Sequence, residues 1–418
     1  MQPMGPLHRW LFKCKHLGIR IATSGLMPAA GVYRRRLRNT TFVAVTGSCG
    51  KSTTVILLGH LLAPLGAGHA GDLGHKLPIN HVLAVLGLRP WSRYCVRELT
   101  GHIPGFLDYV LSFYRPGISV VTAVGDDHIK DHSSRENIAR EKGKIVECLP
   151  PDGIAVLNAD DPLVRAMAGR TRARTILYGL SEDAELRASD VRSAWPDRLS
   201  MTLHYGGQSV AVRTQLVGDF WSTSVLAATV VALSCGVTLD ECAARLATFP
   251  PVRSRMEPVD VDGGITFIDN TQKNPLWGLP AFLRTVAAAR ASSKIVVLGG
   301  SSQLTEHHEV AYASMARQAL DVADLVYFAG SDTKWLDGFD AGEAGGRYRA
   351  FATTHELNDH LHEVLGRGDL VFMLAGRNRV HLERLVLDRT DQVVCWREGC
   401  RIPRHCRDCR WYRTAAPG

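Results

Sequence analysis

The stretch VAVTGSCGKSTT, Val43 to Thr54, decides how this chain is read. An apolar run enters a loop punctuated by Gly47 and Gly50, closes on Lys51 and Ser52, and leaves as the helical pattern STTVILLGHLL. A strand, a glycine loop and a helix in that order aim loop N–H groups, a helix N-terminus and one lysine at polyphosphate oxygens. The spacing is not the common G-x-x-x-x-G-K-[ST], which would place its first glycine where Val45 stands. A phosphate cradle of a shorter type is therefore expected.

Composition bounds the rest. At 418 residues the chain is long enough for two or three domains, and its 45% hydrophobic share suffices for packed cores. No uncharged apolar run of about eighteen residues occurs, and the N-terminal basic residues are interleaved with apolar ones, so a cytoplasmic protein is expected. The net charge of +8 is spread along the chain, which suits an anionic small substrate and predicts no nucleic-acid partner. With no export signal, the ten cysteines do not form a disulfide framework. Six are scattered and read as small buried hydrophobes. The others, Cys395, Cys400, Cys406 and Cys409 in CWREGCRIPRHCRDC, either hold a structural zinc, with His405 a spare ligand, or form a reduced metal-free tail.

Along the chain, residues 1–39 carry Leu7, Trp10, Leu11, Cys14, Leu17 and Ile21 at helical spacing among basic residues. This basic amphipathic segment packs on the body of the protein or meets a membrane surface or protein partner. From Thr41, FVAVTG, YCVREL, ISVVTAVG, GIAVLNAD and TILYGL read as strands alternating with helices, the pattern of a mostly parallel sheet. Residues 185–217 read as an antiparallel insertion, and FPPVRSR as a hinge. GITFIDN, KIVVLGG, DLVYFAG and DLVFMLAG then repeat the α/β pattern. The expected domains are 40–250 and 251–390, with a Cys-rich basic tail at 391–418.

Ligands of open α/β sheets gather at strand C-termini. Glu98 ends VREL, His128 follows VTAVGDD, Asn158, Asp160 and Asp161 follow GIAVL, and Lys142 lies on RENIAREKGKIVE. Ser52 of the loop with a carboxylate such as Glu98 makes an oxygen site for Mg²⁺, which bridges phosphates.

In order, TGSCGKSTT, REL, VTAVGDDHIKDHSSRENIAREKGKIVE, GIAVLNADDP, RME at Arg255 to Glu257, IDNTQKNP and LAGRNRVHLERLV resemble the Mur ligase superfamily of ATP-dependent amide-forming enzymes. The resemblance covers about residues 40–390, and its block Arg115 to Pro162 looks nearest the branch that adds D-alanyl-D-alanine to a muramyl tripeptide. It implies an α/β fold: a mostly parallel-sheet P-loop ATPase domain with an antiparallel insertion, then a smaller Rossmann-like α/β domain. It implies ATP on Gly47, Gly50, Lys51, Ser52 and Thr53, with Lys51 at the β- and γ-phosphates. Mg²⁺ would sit on Ser52 and Glu98, and a second metal on His128. Lys142 would be a carbamylated lysine serving as a metal ligand, Arg255 would meet the γ-phosphate, and Asp269 and Asn274 would contact the nucleotide.

The activity so implied is an ATP-dependent carboxylate–amine ligase that forms an amide through an acyl phosphate, from a small acid, amino acid or peptide and an amine. A poly-γ-glutamate-type or peptidoglycan-precursor ligase, and a non-catalytic nucleotide-binding subunit, are the alternatives. The chain departs from the family's pattern at three places. About forty residues precede the loop, so an N-terminal UDP-binding domain is expected to be lacking. Phe220, Trp221 and Ser224 stand where an adenine-side His-Asn motif is usual, either to stack on a base or to pack in the core. Thr271, Gln272 and Lys273, and later Arg377 and Asn378, replace other family residues near the substrates.

Overall fold

β1 (Thr41–Thr46) is buried from Phe42 onward, as a strand covered on both faces must be, and so it reads as an unbroken apolar run. The computed structural model describes residues 23–71, 77–127, 129–273, 275–301, 307–336, 339, 345–377, 379–400, 402 and 404–414. After β1 come β2 (Gly68–Ala70), β3 (Tyr94–Glu98), β4 (Ile118–Val121), β5 (Ile154–Asn158), β6 (Arg174–Gly179), β7 (Leu186–Arg192), β8 (Ser200–Tyr205) and β9 (Gln208–Arg213). They form one sheet in the order β2-β3-β1-β4-β5-β6-β7-β8-β9. β1 pairs in parallel with β3 on one side and β4 on the other. The chain therefore leaves β1 for the edge, returns through β3 and crosses over to β4. That reversal opens a crevice at the C-terminal ends of these three strands.

Helices cover the sheet because their apolar stripes need a partner. Phe106, Leu107, Val110 and Tyr114 of the helix Phe106–Tyr114 pack with Phe42, Ala44 and Cys95 of the sheet in one core. The helical residues 23–36 join it through Ala30. Tyr33 donates its hydroxyl to Leu88 O (2.7 Å), and Arg34 lies over the Phe42 ring (4.4 Å) while donating to Tyr114 O (3.1 Å). The described part of the N-terminal segment thus packs on the body of the protein, and residues 1–22, with the rest of its periodicity, lie outside the described residues. Among the described residues no helix is long and apolar enough to cross a membrane.

The chain divides into two compact units, residues 1–189, 202–212 and 222–247 forming the first and residues 190–201, 213–221 and 248–418 the second. The second holds β10 (Glu257–Val261), β11 (Ile265–Asn270), β12 (Lys294–Leu298), β13 (Leu325–Ala329), β14 (Tyr348–Phe351) and β15 (Leu370–Leu374), ordered β10-β11-β15-β12-β13-β14. β10 and β11 are antiparallel, and the remaining pairs are parallel. Phe267, Ile295, Val297, Val371 and Met373 build its core.

The expected α/β class and mostly parallel sheets are what the structure has, with several differences of detail. β7 joins β6 in parallel, through Tyr178↔Leu186 and Gly179↔Arg187. A short link can connect parallel strands here because they overlap over so little. The insertion holds the β8–β9 hairpin, whose two-residue turn Gly206–Gly207 has both φ values positive (57° and 79°). Parts of the insertion belong to the second unit, and so does the tail beyond 390, where Val393 and Tyr412 pack on Leu387. Of the scattered cysteines, Cys95 and Cys242 are buried, whereas Cys49 and Cys148 are exposed, against the reading of all six as buried hydrophobes.

Asp160 and Asp161 are used structurally. Asp160 accepts from Leu180 N (2.8 Å) and Ser181 N (3.0 Å). Asp161 caps the turn that begins at Pro162, accepting from Leu163 N (3.0 Å) and Val164 N (3.1 Å), and its other oxygen holds Val124 N (2.7 Å). Asp161→Ala is expected to destabilise the chain by about 1–2 kcal/mol, measured by urea denaturation, because an N-cap and a loop tie are lost together.

Candidate active site

The loop after β1 ends the strand at the sheet's reversal point. Gly47 has φ 146°, and a Cβ there would lie 1.9 Å from Thr122 Oγ1, so only glycine allows the loop to pass this close to the end of β4. Ser48 N donates to Ala123 O (2.7 Å), Ser48 Oγ accepts from Gly125 N (2.8 Å), and Thr122 Oγ1 donates to Cys49 O (2.5 Å). Gly50, at φ 73°, is the N-cap of the helix Lys51–Leu62 and offers no side-chain cap. The first N–H groups of that helix are thus left for a ligand.

Lys51 is buried, with its amine turned back onto Gly47 O (2.6 Å) and Ser48 O (3.3 Å) and 3.5 Å from Asp127 Oδ2. Ser52 Oγ donates to Glu98 Oε2 at 2.6 Å, joining the start of the helix to the end of β3. Thr53 is fully buried, and its hydroxyl has no partner. Ser224 Oγ donates to Gly50 O (3.3 Å), which ties the loop to the helix Ser222–Ser234.

Lys142 lies on the helix Arg135–Glu147, 1% exposed, and donates to Thr100 O at 3.3 Å, two residues past Glu98. The first unit thus brings Gly47, Gly50, Lys51, Ser52, Thr53 and Glu98 to one strand edge, with Lys142 approaching from the helix beyond. His128 and Asn274 lie outside the described residues, as does Asn378. Asp127, beside His128, was not singled out in the sequence. Its signal there was the doubled acid in VGDDH, at the end of a strand.

The second unit has its own polar network. Ser254 and Met256, both at φ 54°, flank Arg255, an uncommon conformation for residues with side chains. Ser254 Oγ donates to Asp269 Oδ2 (2.7 Å), and Thr271 N donates to Asp269 Oδ1 (3.0 Å). The Asp269 carboxylate therefore supports the turn that carries Arg255, where sequence reading assigned it to a nucleotide contact. Arg377 donates to Ser254 Oγ (2.7 Å) and to Gln272 Oε1, and its Nε lies 3.4 Å from Glu383 Oε1. Phe220 and Trp221 pack on each other with ring centroids 4.8 Å apart, Trp221 being the buried one.

Burial lifts the Asp269 carboxyl to about 6, against the lowering effect of its hydrogen bonds from Thr271 and Ser254. A folded-state value above the unfolded one favours the folded state at low pH, and that contribution is lost as pH rises from about 4 through about 6. Denaturant midpoints measured across that range should fall with rising pH, and Asp269→Asn should flatten the slope.

Comparison with known proteins places this geometry. Residues 45–232 match the Mur ligase middle domain family. The chain is 33% identical over 296 residues to a UDP-N-acetylmuramoyl-tripeptide–D-alanyl-D-alanine ligase of Mycobacterium tuberculosis H37Rv, an alignment covering 68% of this chain and 58% of that relative. The chain thus spans less than two thirds of the length of that curated relative. In structure it resembles MurF from Acinetobacter baumannii (TM-score 0.76, 22% identity, 88% of this chain and 80% of that one). It also resembles MurF ligase from Thermotoga maritima, solved in complex with ADP (TM-score 0.75, 22% identity, 87% of this chain and 82% of that one). Residues 45–232 of this chain are thus a Mur ligase middle domain.

Proposed function

We propose that this chain is an ATP-dependent carboxylate–amine ligase that activates an acid as its acyl phosphate and transfers the acyl group to an amine. The observation that carries the reading is the convergence at the helix N-terminus of an uncapped glycine loop, the buried Lys51 and the 2.6 Å Ser52–Glu98 contact. A hydroxyl and a carboxylate this close are a ready oxygen pair for Mg²⁺, which would supply positive charge beside the phosphates. Lys51 is parked on its own loop carbonyls, and phosphate oxygens offer its ammonium a stronger partner of opposite charge.

The chemistry follows from that placement. The substrate carboxylate attacks the γ-phosphorus and ADP leaves, with Lys51 and the loop amides stabilising the charge on the transferring group. The neutral amine then attacks the acyl carbon, and phosphate departs as the tetrahedral adduct collapses. Lys142, buried beside Thr100 O, is proposed to be carbamylated: carbon dioxide would convert its ammonium into an anionic oxygen ligand.

The acid is proposed to be a small acid, amino acid or peptide. The relative's name makes a muramyl tripeptide and D-alanyl-D-alanine the first pair to try. The reaction is proposed to run in the cytoplasm, where ATP is supplied. A second reading, a non-catalytic nucleotide-binding subunit, is favoured by Trp221, which is buried where an adenine-side motif is usual. Calorimetric titration with ATP and Mg²⁺, followed by phosphate release with acid and amine present, separates the two. Binding with amine-dependent release supports the ligase, and binding without release across all acids and amines supports the subunit.

A further inference from the structure

The tail beyond residue 390 has little regular structure of its own and is held by separate polar contacts, Glu398 accepting from Thr354 N (2.8 Å) and Arg397 O from Arg384 (2.9 Å). Among its described residues the regular structure is one short turn, Cys406–Asp408, and its apolar contacts centre on Val393 and Tyr412 against Leu387. Yet Cys395, Cys400, Cys406 and Cys409 all line one cavity of about 30 Å³, together with His381. All four are reduced and half-buried. Cys406 and Cys409 come from a single tight turn, closed by Cys409 N donating to Cys406 O (2.9 Å), and Cys395 and Cys400 from the segment before it.

Polar groups beside the cavity lack partners. His381, 1% exposed, lies with its Nδ1 3.5 Å from the Cys406 sulfur and 2.9 Å from Glu383 Oε1. The ligand atoms of His381, Glu383 and Cys406 lie within 4.8 Å of one another, whereas the four tail sulfurs share the cavity without three of them being gathered as closely. His381 Nε2, Glu383 Oε2, and Nε and Nη1 of Arg384 are buried without partners.

We propose that Cys395, Cys400, Cys406 and Cys409 bind one Zn²⁺ as thiolates, forming a structural site that pins the tail to the second unit. Four soft sulfur donors from two short segments select zinc over the hard cation assigned to the phosphate loop. Binding releases the thiol protons and leaves a complex of net charge −2. Arg384, Arg397 and Arg404 line the same cavity and compensate it. His381, held by Glu383, orients the Cys406 sulfur from outside the coordination shell, a placement that tunes affinity without supplying a ligand.

The site also has a route to the rest of its unit. Cys406 N donates to Glu383 Oε1 (3.3 Å), Glu383 faces Arg377, and Arg377 reaches the Ser254 turn beside Arg255. Fixing the tail therefore fixes that turn, whatever reaction the chain performs.

The test uses the full chain, purified reduced and without chelator. Elemental analysis is expected to give one zinc per chain, and four thiols should react with Ellman's reagent only after a chelator is added. Cobalt exchanged into the site should show intense sulfur-to-cobalt absorption. Cys406→Ser/Cys409→Ser should lose the zinc, with far-ultraviolet circular dichroism reporting whether it still folds. His381→Ala should keep one zinc per chain with affinity about 10–100-fold weaker. A wild-type chain that takes up no zinc from buffered Zn²⁺, or whose tail thiols react at once with zinc present, overturns the proposal. Complete loss of zinc in His381→Ala overturns the all-thiolate ligand set.

Discussion

Lys51→Ala is expected to lower amine-dependent ATP turnover by about 10³-fold, about 4 kcal/mol of transition-state stabilisation, the scale seen when one preorganised charge at a developing anion is removed. The side chain sits at the first position of the helix Lys51–Leu62, where it can bring a positive charge onto the transferring phosphate. Its removal also leaves the Asp127 carboxylate, 2% exposed, without this cation 3.5 Å away. Some stability should therefore be lost, about 1–3 kcal/mol. Lys51→Met also removes the cation but keeps the aliphatic stem, so the stability it retains over Lys51→Ala reports the packing of that stem. Its turnover should fall as far as that of Lys51→Ala while its melting temperature drops less. Turnover within about tenfold of wild type in both variants would remove Lys51, and with it the phosphate loop, from the reaction.

Lys142→Ala is the second large effect, about 10²–10³-fold in turnover if the carbamate serves as an anionic ligand. The Lys142 ammonium, 1% exposed and donating to a backbone carbonyl 3.3 Å away, lies deep in the first unit, and carbamylation would reverse its charge. Added formate, acetate or bicarbonate should restore part of the activity of Lys142→Ala, since a small carboxylate can enter the space vacated. Lys142→Arg, which fills that space with a permanent cation, should not respond. In parallel, wild-type protein under ¹³C-labelled carbon dioxide should show a carbamate carbon resonance that Lys142→Ala lacks. No rescue and no resonance would leave Lys142 as an ordinary buried lysine.

Much of the fold was legible because its central strands are buried on both faces. FVAVT, ISVV and LVFML are continuous apolar runs, and such runs have few other uses. The strands that were not read lie at sheet edges. β2 is the three residues GHA, and β10, EPVDV, mixes proline and acid on an edge where burial imposes no pattern. The phosphate loop was legible for a different reason: its glycines and lysine are local, and their spacing is set by one turn. Arg377 and Ser254 are 123 residues apart, and nothing in the sequence pairs them. Asp161 and Asp269 show the converse. Both sit at strand ends, where ligands gather, yet their oxygens are taken by backbone N–H groups and a serine. Position at a strand end does not distinguish a carboxylate that meets a ligand from one that holds a turn.

The central claim is that ATP is spent here to join an acid to an amine. The most direct measurement incubates the purified chain with ATP, Mg²⁺ and pooled acids and amines, beginning with a muramyl tripeptide and D-alanyl-D-alanine. Phosphate release is followed together with mass spectrometry of the mixture. The expected result is amine-dependent phosphate, one per product, and a product whose mass is that of acid plus amine less one water. Phosphate released at the same rate without amine, with no condensed product in any pool, would contradict the claim.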